Sequence, residues 1–421
     1  MSEAQRTFSI WVIRTLRAAG FTSLWAGGCV RDQLLGRSPK DYDVATDAHP
    51  NQVLELFRNH RVRALPIGVS FGVVALVGPR GAGTVEVATF REDASYSDGR
   101  HPDAVQFSTP QRDAQRRDFT INGLFFDPIE ETTLDFVGGK ADLAAGVLRA
   151  IHEPMERFEE DKLRMLRAVR FATSLGFQIE PATFAAIQTM APQIRCVSAE
   201  RITAEMTRIL TGPNRGLGLQ LLAQSGLGRE ILPEFFEPLA HDPTLLDRWT
   251  RRLERLESPD VSLAMAAWAY ELLTPNTVDQ IAKRWKWSNA QRLRAVWTLR
   301  QIETLDSAAQ KNSTLQPLLI VPDCDALLQL RRLLAQTNEL PATLPSRIHE
   351  MSSWSSERLD PPPLLDGNIL LANGFRPGIH LKRILQTVRD AQLDERITTQ
   401  EQALALASQI ARAEKPDSNA S

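Results

Sequence analysis

Gly27-Gly28-Cys29-Val30-Arg31-Asp32, followed nine residues later by Asp41-Tyr42-Asp43, is the stretch on which the reading of this chain turns. A Gly-Gly turn lets backbone N–H groups approach a phosphate closely, and Arg31 adds positive charge beside it. If Asp41 and Asp43 lie on a strand, side chains two apart share a face, so both carboxylates reach the same metal ions. Hard Mg²⁺ takes oxygen ligands, commonly one or two carboxylates completed by substrate phosphates. The spacing predicts a strand–turn–helix–strand unit suited to metal-assisted transfer from a nucleoside triphosphate. An Asp-x-Asp pair alone is more often surface decoration. The Gly-Gly leader shifts that balance, because phosphate cradle and metal ligands then fall in one short unit.

Around this unit the pattern is β-rich. Ser23–Ala26, Asp41–Ala45, Phe71–Val77, Thr84–Phe90 and Ala104–Phe107 read as strands. Thr46 and Asp47 are expected to cap a helix over His49–His60 with Val53, Leu54 and Phe57 on its apolar face. After Gly138-Gly139 the period becomes helical. Pro154, Pro181 and Pro213 sit near expected helix starts, and Ser198 is placed to cap the helix that follows it. Ser352–Pro363 reads as a linker or long loop, and Glu414–Ser421 as a disordered end. The fold class is therefore α+β, with a small mixed sheet at the head and a helical body after it.

Composition bounds the function. A chain of 421 residues exceeds one ordinary core and suggests about two to four domains. A hydrophobic fraction of 43% with 24% charged residues is that of a soluble globular protein. A net charge of −2 gives no global pull toward nucleic acid, so any such surface must be a local basic patch. Cys29, Cys196 and Cys324 are widely separated, forming neither a zinc pattern nor a disulfide framework. The polar start and the amphipathic stretch Phe8–Leu16, broken by Arg14, are not expected to be a signal peptide. No apolar run approaches the ~18 residues that span a membrane. A cytoplasmic location is expected.

Three further groups carry chemistry. Glu86, in Val85-Glu86-Val87-Ala88-Thr89-Phe90-Arg91, is a third carboxylate on a strand; a buried salt bridge and catalytic support are about equally good readings. Arg116-Arg117-Asp118-Phe119-Thr120-Ile121-Asn122-Gly123 pairs arginines that match phosphate oxygens with Asp and Asn groups that bind ribose hydroxyls. Its plain structural reading is a capped helix end with a surface Arg pair. In Glu159-Glu160-Asp161-Lys162-Leu163-Arg164-Met165-Leu166-Arg167-Ala168-Val169-Arg170, Asp161, Arg164, Arg167 and Arg170 recur every three residues on an expected helix. The set drifts around the helix, since three residues fall short of a turn. Asp161 and Arg164 can form a mere surface pair. They can equally read a base edge, the carboxylate accepting from an exocyclic amine and the guanidinium donating to a ring acceptor. Cytosine and adenine offer that combination; uracil and guanine set a carbonyl against the carboxylate.

The order Gly-Gly-x-Val-Arg-Asp, Asp-x-Asp, Arg-Arg-Asp-Phe-Thr-Ile-Asn and Glu-Asp-x-x-Arg-Met-Leu-Arg-Ala resembles the class II tRNA nucleotidyltransferase/bacterial poly(A) polymerase family, from about residue 21 to 210. The resemblance implies a nucleotidyltransferase head over 1–138, a helical neck with the base-reading helix over 139–212, a helical body over 213–350 and a helical tail over 351–421. It implies that Asp41 and Asp43 hold Mg²⁺ and that Glu86 supports catalysis. It further implies that Gly27, Gly28 and Arg31 meet the triphosphate, and that Arg116, Arg117, Asp118 and Asn122 bind the nucleotide. Asp161 and Arg164 would read the base, with Arg167 and Arg170 lending charge. The implied activity is template-independent addition of C, C and A to the tRNA 3′ end from CTP and ATP, by two-metal in-line transfer that releases pyrophosphate. No membrane and no obligate protein partner are implied.

Poly(A) polymerase and A-adding activities belong to the same family and stay open, as does a non-catalytic RNA-binding protein. Two segments resemble the CCA branch. Ile67-Gly68-Val69-Ser70-Phe71-Gly72-Val73-Val74 lacks the Gly-Arg-Arg-Phe run associated with the polymerases, and Arg91–Asp103 resembles the flexible loop of CCA- and A-adding enzymes. The C-terminal half says less. Lys283-Arg284-Trp285-Lys286-Trp287, with Arg292 and Arg294, can stack on nucleotides, but core packing is the commoner use of such tryptophans. His241-Asp242 reads as a turn or cap, and Leu365–Leu406 resembles the tail of long family members.

Overall fold

The computed structural model describes residues 3–60, 62–93, 105–342 and 345–413, and the chain forms two compact units, Met1–Thr250 and Arg251–Ser421. The first opens with α1 (Glu3–Ala18), which buries Phe8, Val12, Ile13 and Leu16 on one face. Then come β1 (Ser23–Ala26), α2 (Gly28–Leu34), β2 (Asp43–Thr46), α3 (Pro50–Arg58), β3 (Arg63–Gly68), β4 (Val73–Val77) and β5 (Thr84–Thr89). A short hairpin, β6 (Arg91–Asp93) with β7 (Val105–Phe107), precedes α4 (Pro110–Gln115), β8 (Leu124–Asp127) and β9 (Thr132–Asp135). Seven strands form one mixed sheet in the order β3-β4-β5-β2-β1-β8-β9. β2 and β5 run parallel, setting Asp43 directly opposite Glu86, and the other neighbours run antiparallel.

Burial fixes this register. Val44, Val74, Leu76, Val85 and Val87 are buried, so a slip of one residue would carry apolar side chains to water. Trp25 on β1 is fully buried, and its indole N–H donates to Ser9 Oγ at 3.0 Å, which satisfies its one polar atom.

The helical part of the first unit holds α5 (Gly139–Ala145), α6 (Pro154–Glu160), α7 (Leu163–Leu175), α8 (Pro181–Met190) and α9 (Ala199–Thr211), with a two-strand pair, β10 (Val147–Leu148) and β11 (Gln178–Ile179). Pro154 and Pro181 open α6 and α8, where a missing N–H costs nothing. Pro213 lies two residues before the helix Arg215–Gln224. In the second unit, Val261–Ala269 is a helix buried on every side. Leu365, Leu370, Ile384, Val388, Ala403 and Ala407 form a further core.

Some local expectations are corrected, and those for the Trp285/Trp287 patch as core packing and for Asp242 as a turn residue hold. β2 begins at Asp43, so Asp41 lies ahead of the strand rather than on it. The helix α3 is entered through His49, whose N–H donates to Gln52 Oε1 at 2.8 Å, while Thr46 belongs to β2. Ser198 occupies the cap position of α9 but makes no side-chain cap bond. Phe71 closes a 3-10 turn, Val69–Phe71, before β4. Ser352–Pro363 contains the one-turn helix Ser356–Leu359 and is tied down by Arg389, which donates to the Pro361 carbonyl at 2.6 Å. Trp285 and Trp287 are buried, and Arg292 and Lys283 pair with Asp279, so that patch serves packing and ion pairing. Asp242 accepts from Thr244 N and Arg248, as a turn residue does. Most of the segment Arg91–Asp103 and all of Glu414–Ser421 lie outside the described residues. Among the described residues no helix is long and apolar enough to cross a membrane.

The junction after β9 depends on a close approach. Asp135 accepts from Val137 N, Gly139 N and Lys140 N, which turns the chain into α5. A Cβ at Gly139 would lie 2.2 Å from the Thr120 carbonyl oxygen. That contact is with backbone, which cannot step aside cheaply. Gly139→Ala should therefore cost about 1–3 kcal/mol, seen as a lower urea midpoint at unchanged denaturant slope.

Candidate active site

The site is built where β1, β2, α2 and the 3-10 turn Thr120–Asn122 meet α7. Gly27 follows β1 with φ of 70° and donates its N–H to the Leu124 carbonyl at 3.1 Å. A Cβ there would come within 2.7 Å of Arg117 Nη1, so only glycine permits this turn to lie against that guanidinium. Arg31, one turn on, donates to Asp32 Oδ1 at 2.7 Å and to Asn122 Oδ1 at 2.8 Å. Asn122 donates in turn to Asp118 Oδ1 at 2.9 Å.

Asp118 is the centre of this network. Its Oδ1 also accepts from Phe119 N at 2.8 Å, and its Oδ2 accepts from Arg167 Nε and Nη2 at 2.9 and 2.6 Å. These four donors fill the acceptor sites of a carboxylate. A ribose hydroxyl at Asp118 would have to displace one of them. Burial alone would raise the Asp118 pKa; Arg167 and Asn122 outweigh it and hold the group well below the usual carboxylate range. Arg116 and Arg117 are not a surface pair. Both bind Asp113, which is buried, at 2.8 and 3.0 Å, and they keep Asp113 low against its own desolvation.

Asp161 does not lie within a helix. It occupies an extended break between α6 and α7, with φ of −149° and ψ of 104°. Its Oδ1 accepts from Leu163 N at 3.1 Å and its Oδ2 from Arg201 at 2.7 Å. Arg164 is buried and donates to the Arg157 carbonyl and to Glu160, so Asp161 and Arg164 are anchored separately rather than paired with each other. Arg170 binds Glu205 at 2.6 Å.

A cavity of about 410 Å³ brings these groups together. Gly27, Gly28, Arg31, Asp43, Arg116, Arg117, Asp118, Asn122, Asp161, Arg164 and Arg167 line it; Asp41, Glu86 and Arg170 do not. Leu163, Phe171 and Arg201 also line it without belonging to the motif positions singled out above. Asp113 carries a signal in hindsight, standing three and four residues before its two arginines. Arg201 has none, because its partner Asp161 is distant in sequence, and Glu205 has only its neighbour Arg208 to mark it, its partners Arg167 and Arg170 lying far away.

Three carboxylates gather at the mouth of the sheet. Burial, then the neighbouring Glu86, push the Asp43 pKa up to about 6, with Asp41 adding to the rise and Arg117 opposing it. Glu86 is exposed, which removes the buried salt bridge as its explanation. Among the described residues no group of three or more His, Cys, Asp or Glu side chains could hold a metal. Asp41 and Asp43 offer two carboxylates, a donor set that suits a hard divalent cation completed by phosphate and water. Such a cation would offset both the burial of the Asp43 charge and the repulsion it meets from Glu86 and Asp41.

Residues 24–149 match the model of the poly A polymerase head domain, and residues 176–237 that of the probable RNA and SrmB-binding site of polymerase A. The CCA-adding enzyme of Lactiplantibacillus plantarum is 32% identical over 402 residues, covering 93% of each chain. That of Levilactobacillus brevis is 37% identical over 285 residues, 66% of this chain and 67% of the relative. The fold matches the Bacillus stearothermophilus CCA-adding enzyme in complex with CTP at a TM-score of 0.76 and 24% identity, over 98% of this chain and 99% of the other. It also matches the Thermotoga maritima CCA-adding enzyme complexed with tRNA, at a TM-score of 0.66 and 18% identity, over 99% and 97%.

The raised Asp43 carboxyl has a consequence for stability. Its folded pKa of about 6 lies above the ~3.9 of an unfolded Asp, so the folded state binds more protons between those values. Stability from this group is then full below about pH 4 and is lost as pH rises through 6. In chelator, Asp43→Asn should melt higher than the unmodified protein above pH 6 and lose that advantage below about pH 4. Thermal melts across the range check it.

Proposed function

This chain belongs to the family of CCA-adding enzymes, and from that premise we propose that it extends the 3′ end of tRNA with C, C and A, drawing on CTP and ATP and releasing pyrophosphate. The observation that carries the reading is the convergence on one cavity of the Gly-Gly turn, Asp43, the Arg116/Arg117 pair and the separately anchored Asp161 and Arg164. The division into head, neck, body and tail at residues 1–138, 139–212, 213–350 and 351–421 is part of the same proposal, as is a cytoplasmic location.

In each cycle the RNA 3′ hydroxyl oxygen bonds to the α-phosphorus. The bond from that phosphorus to the bridging oxygen breaks, pyrophosphate leaves, and the hydroxyl proton passes to solvent. Asp41 and Asp43 would hold Mg²⁺, with Glu86 across the strand pair. When bound, the ion supplies positive charge at the phosphates and favours the ionised hydroxyl. Gly27 and Gly28 let the backbone approach the triphosphate, and Arg31, Arg116 and Arg117 meet its oxygens. Asn122 and Arg167, both held by Asp118, would meet the ribose. Asp161 accepts from the exocyclic amine of C or A, and Arg164 donates to the adjacent ring acceptor. Each reader is fixed by protein contacts of its own, so selection needs no nucleic-acid template.

The test uses tRNA transcripts ending before the tail, after one C and after two, with an unstructured RNA alongside, given Mg²⁺ with CTP, ATP or both. Addition of C, C and A that then stops, confined to tRNA, is expected; long A tails on either RNA, or a single A added only after CC, would reject it. Asp41→Ala and Asp43→Ala should each lower incorporation by at least about 1,000-fold while RNA binding persists. Asp161→Ala or Arg164→Ala should cut the preference for CTP over UTP by about 10–100-fold, measured by competition. Binding of tRNA should weaken as salt rises.

A further inference from the structure

One aromatic ring in the cavity gathers three cations. Phe171, on α7, is buried with 6% of its surface exposed. The guanidinium carbon of Arg170 lies 3.5 Å from its ring centroid, that of Arg31 at 5.2 Å and that of Arg167 at 5.3 Å. Phe119 meets the same ring edge-on, with centroids 5.8 Å apart and planes at 76°. The three cations come from two helices, Arg31 from α2 behind the Gly-Gly turn, and Arg167 and Arg170 from α7. Each also has a carboxylate: Asp32 for Arg31, Asp118 for Arg167 and Glu205 for Arg170, at 2.7, 2.6 and 2.6 Å.

Like charges packed this closely repel. The Asp118–Asn122 chain ties Arg31 to Arg167 on one side, and the Phe171 ring adds a second hold on both, because the quadrupole of an aromatic face attracts each cation, most strongly where water is excluded. Burial is strong enough here to push Arg170 down to about 10, with Arg167 and Arg208 adding to the fall and Glu205 opposing it.

We propose that Phe171 is a positioning residue for nucleotide binding: its ring holds Arg31 at a set distance from Arg167, so that the triphosphate and sugar ends of one nucleotide are met together. The proposal rests on the nucleotide reading of the cavity given above. Phe171 acts through the arginines, on parts shared by CTP and ATP. Its loss therefore weakens both nucleotides alike and leaves base choice to Asp161 and Arg164. An interaction that treats ground and transition states equally appears in KM and not in kcat.

The test replaces Phe171 in the full-length protein by mono-, tri- and pentafluorophenylalanine, which keep the ring's shape while draining the negative charge from its face. KM for CTP and for ATP should rise stepwise along the series, reaching about tenfold, with kcat and the CTP-over-UTP preference unchanged. Phe171→Leu should match the last member of the series. Circular dichroism and melting temperature should show all variants folded. A flat KM across the fluorinated series, with only Phe171→Leu impaired, would make the residue a packing element and overturn the proposal. So would a rise confined to one nucleotide, or a fall in kcat at constant KM. If the unmodified protein binds neither CTP nor ATP in equilibrium titration, it is the nucleotide reading itself that fails.

Discussion

The buried carboxylate of Asp118 is the constraint on which the site depends. It sits where burial opposes its charge, and Arg167 and Asn122, with Arg164 nearby, hold it ionised; the Phe119 N–H donates to it as well. Those donors come from two layers. Phe119 and Asn122 belong to the turn that follows α4, and Arg167 to α7. Asn122 passes the tie onward to Arg31 on α2. One charge therefore fastens Arg31, beside the Gly-Gly turn, to Arg167 on α7. Removing one partner of such a pair leaves the other buried and uncompensated, which typically costs about 3–5 kcal/mol. The geometry is held by a penalty for leaving it more than by a large net gain.

The same device recurs around the cavity. Arg116 and Arg117 are set by Asp113, Arg164 by Glu160, Arg170 by Glu205, and Asp161 by Arg201. Long flexible side chains are thereby ordered before any ligand arrives, so binding does not have to supply their ordering entropy. The mouth of the sheet has the opposite character. Burial, and after it the charges of Glu86 and Asp41, raise the Asp43 carboxyl. A cavity rich in fixed cations beside a cluster of crowded carboxylates favours a polyanion that brings a divalent cation with it. Neither region is complete without the other.

What the sequence makes legible follows physical range. The Gly-Gly turn, the alternation of buried valines and the prolines at helix starts are local rules, and the structure obeys them. The strand containing Asp43 fell close to its expected place because Val44 and Ala45 must be buried. Asp41 lies ahead of it because pairing with β1 and β5 starts only at residues 43 and 44, which no local pattern announces. The break at Asp161 was hidden by an unbroken helical composition. It forms because the Asp161 side chain caps α7 through Leu163 N while Arg201 holds its other oxygen. Arg201 lies 40 residues from Asp161 and Glu205 far from Arg170, and Phe171 reads as one more apolar residue on a helix. Only tertiary packing turns these into parts of a site.

That break bears on how a protein can choose a base without a template. A reader on a continuous helix would keep side-chain freedom and tolerate several edges. Here the backbone of Asp161 is extended and both carboxylate oxygens already have a fixed donor. Each oxygen keeps one lone pair for a ligand. A donor placed there, such as an exocyclic amine, completes the carboxylate. A carbonyl placed there meets a negative oxygen that cannot turn away, because Leu163 and Arg201 hold it. Rejection by an immovable group of the wrong polarity discriminates far more strongly than any difference in fit within an apolar pocket. In the proposed reading, the rigidity of Asp161 is the origin of the preference for C and A, and the hydrogen bonds that supply it come from the protein rather than from the nucleotide.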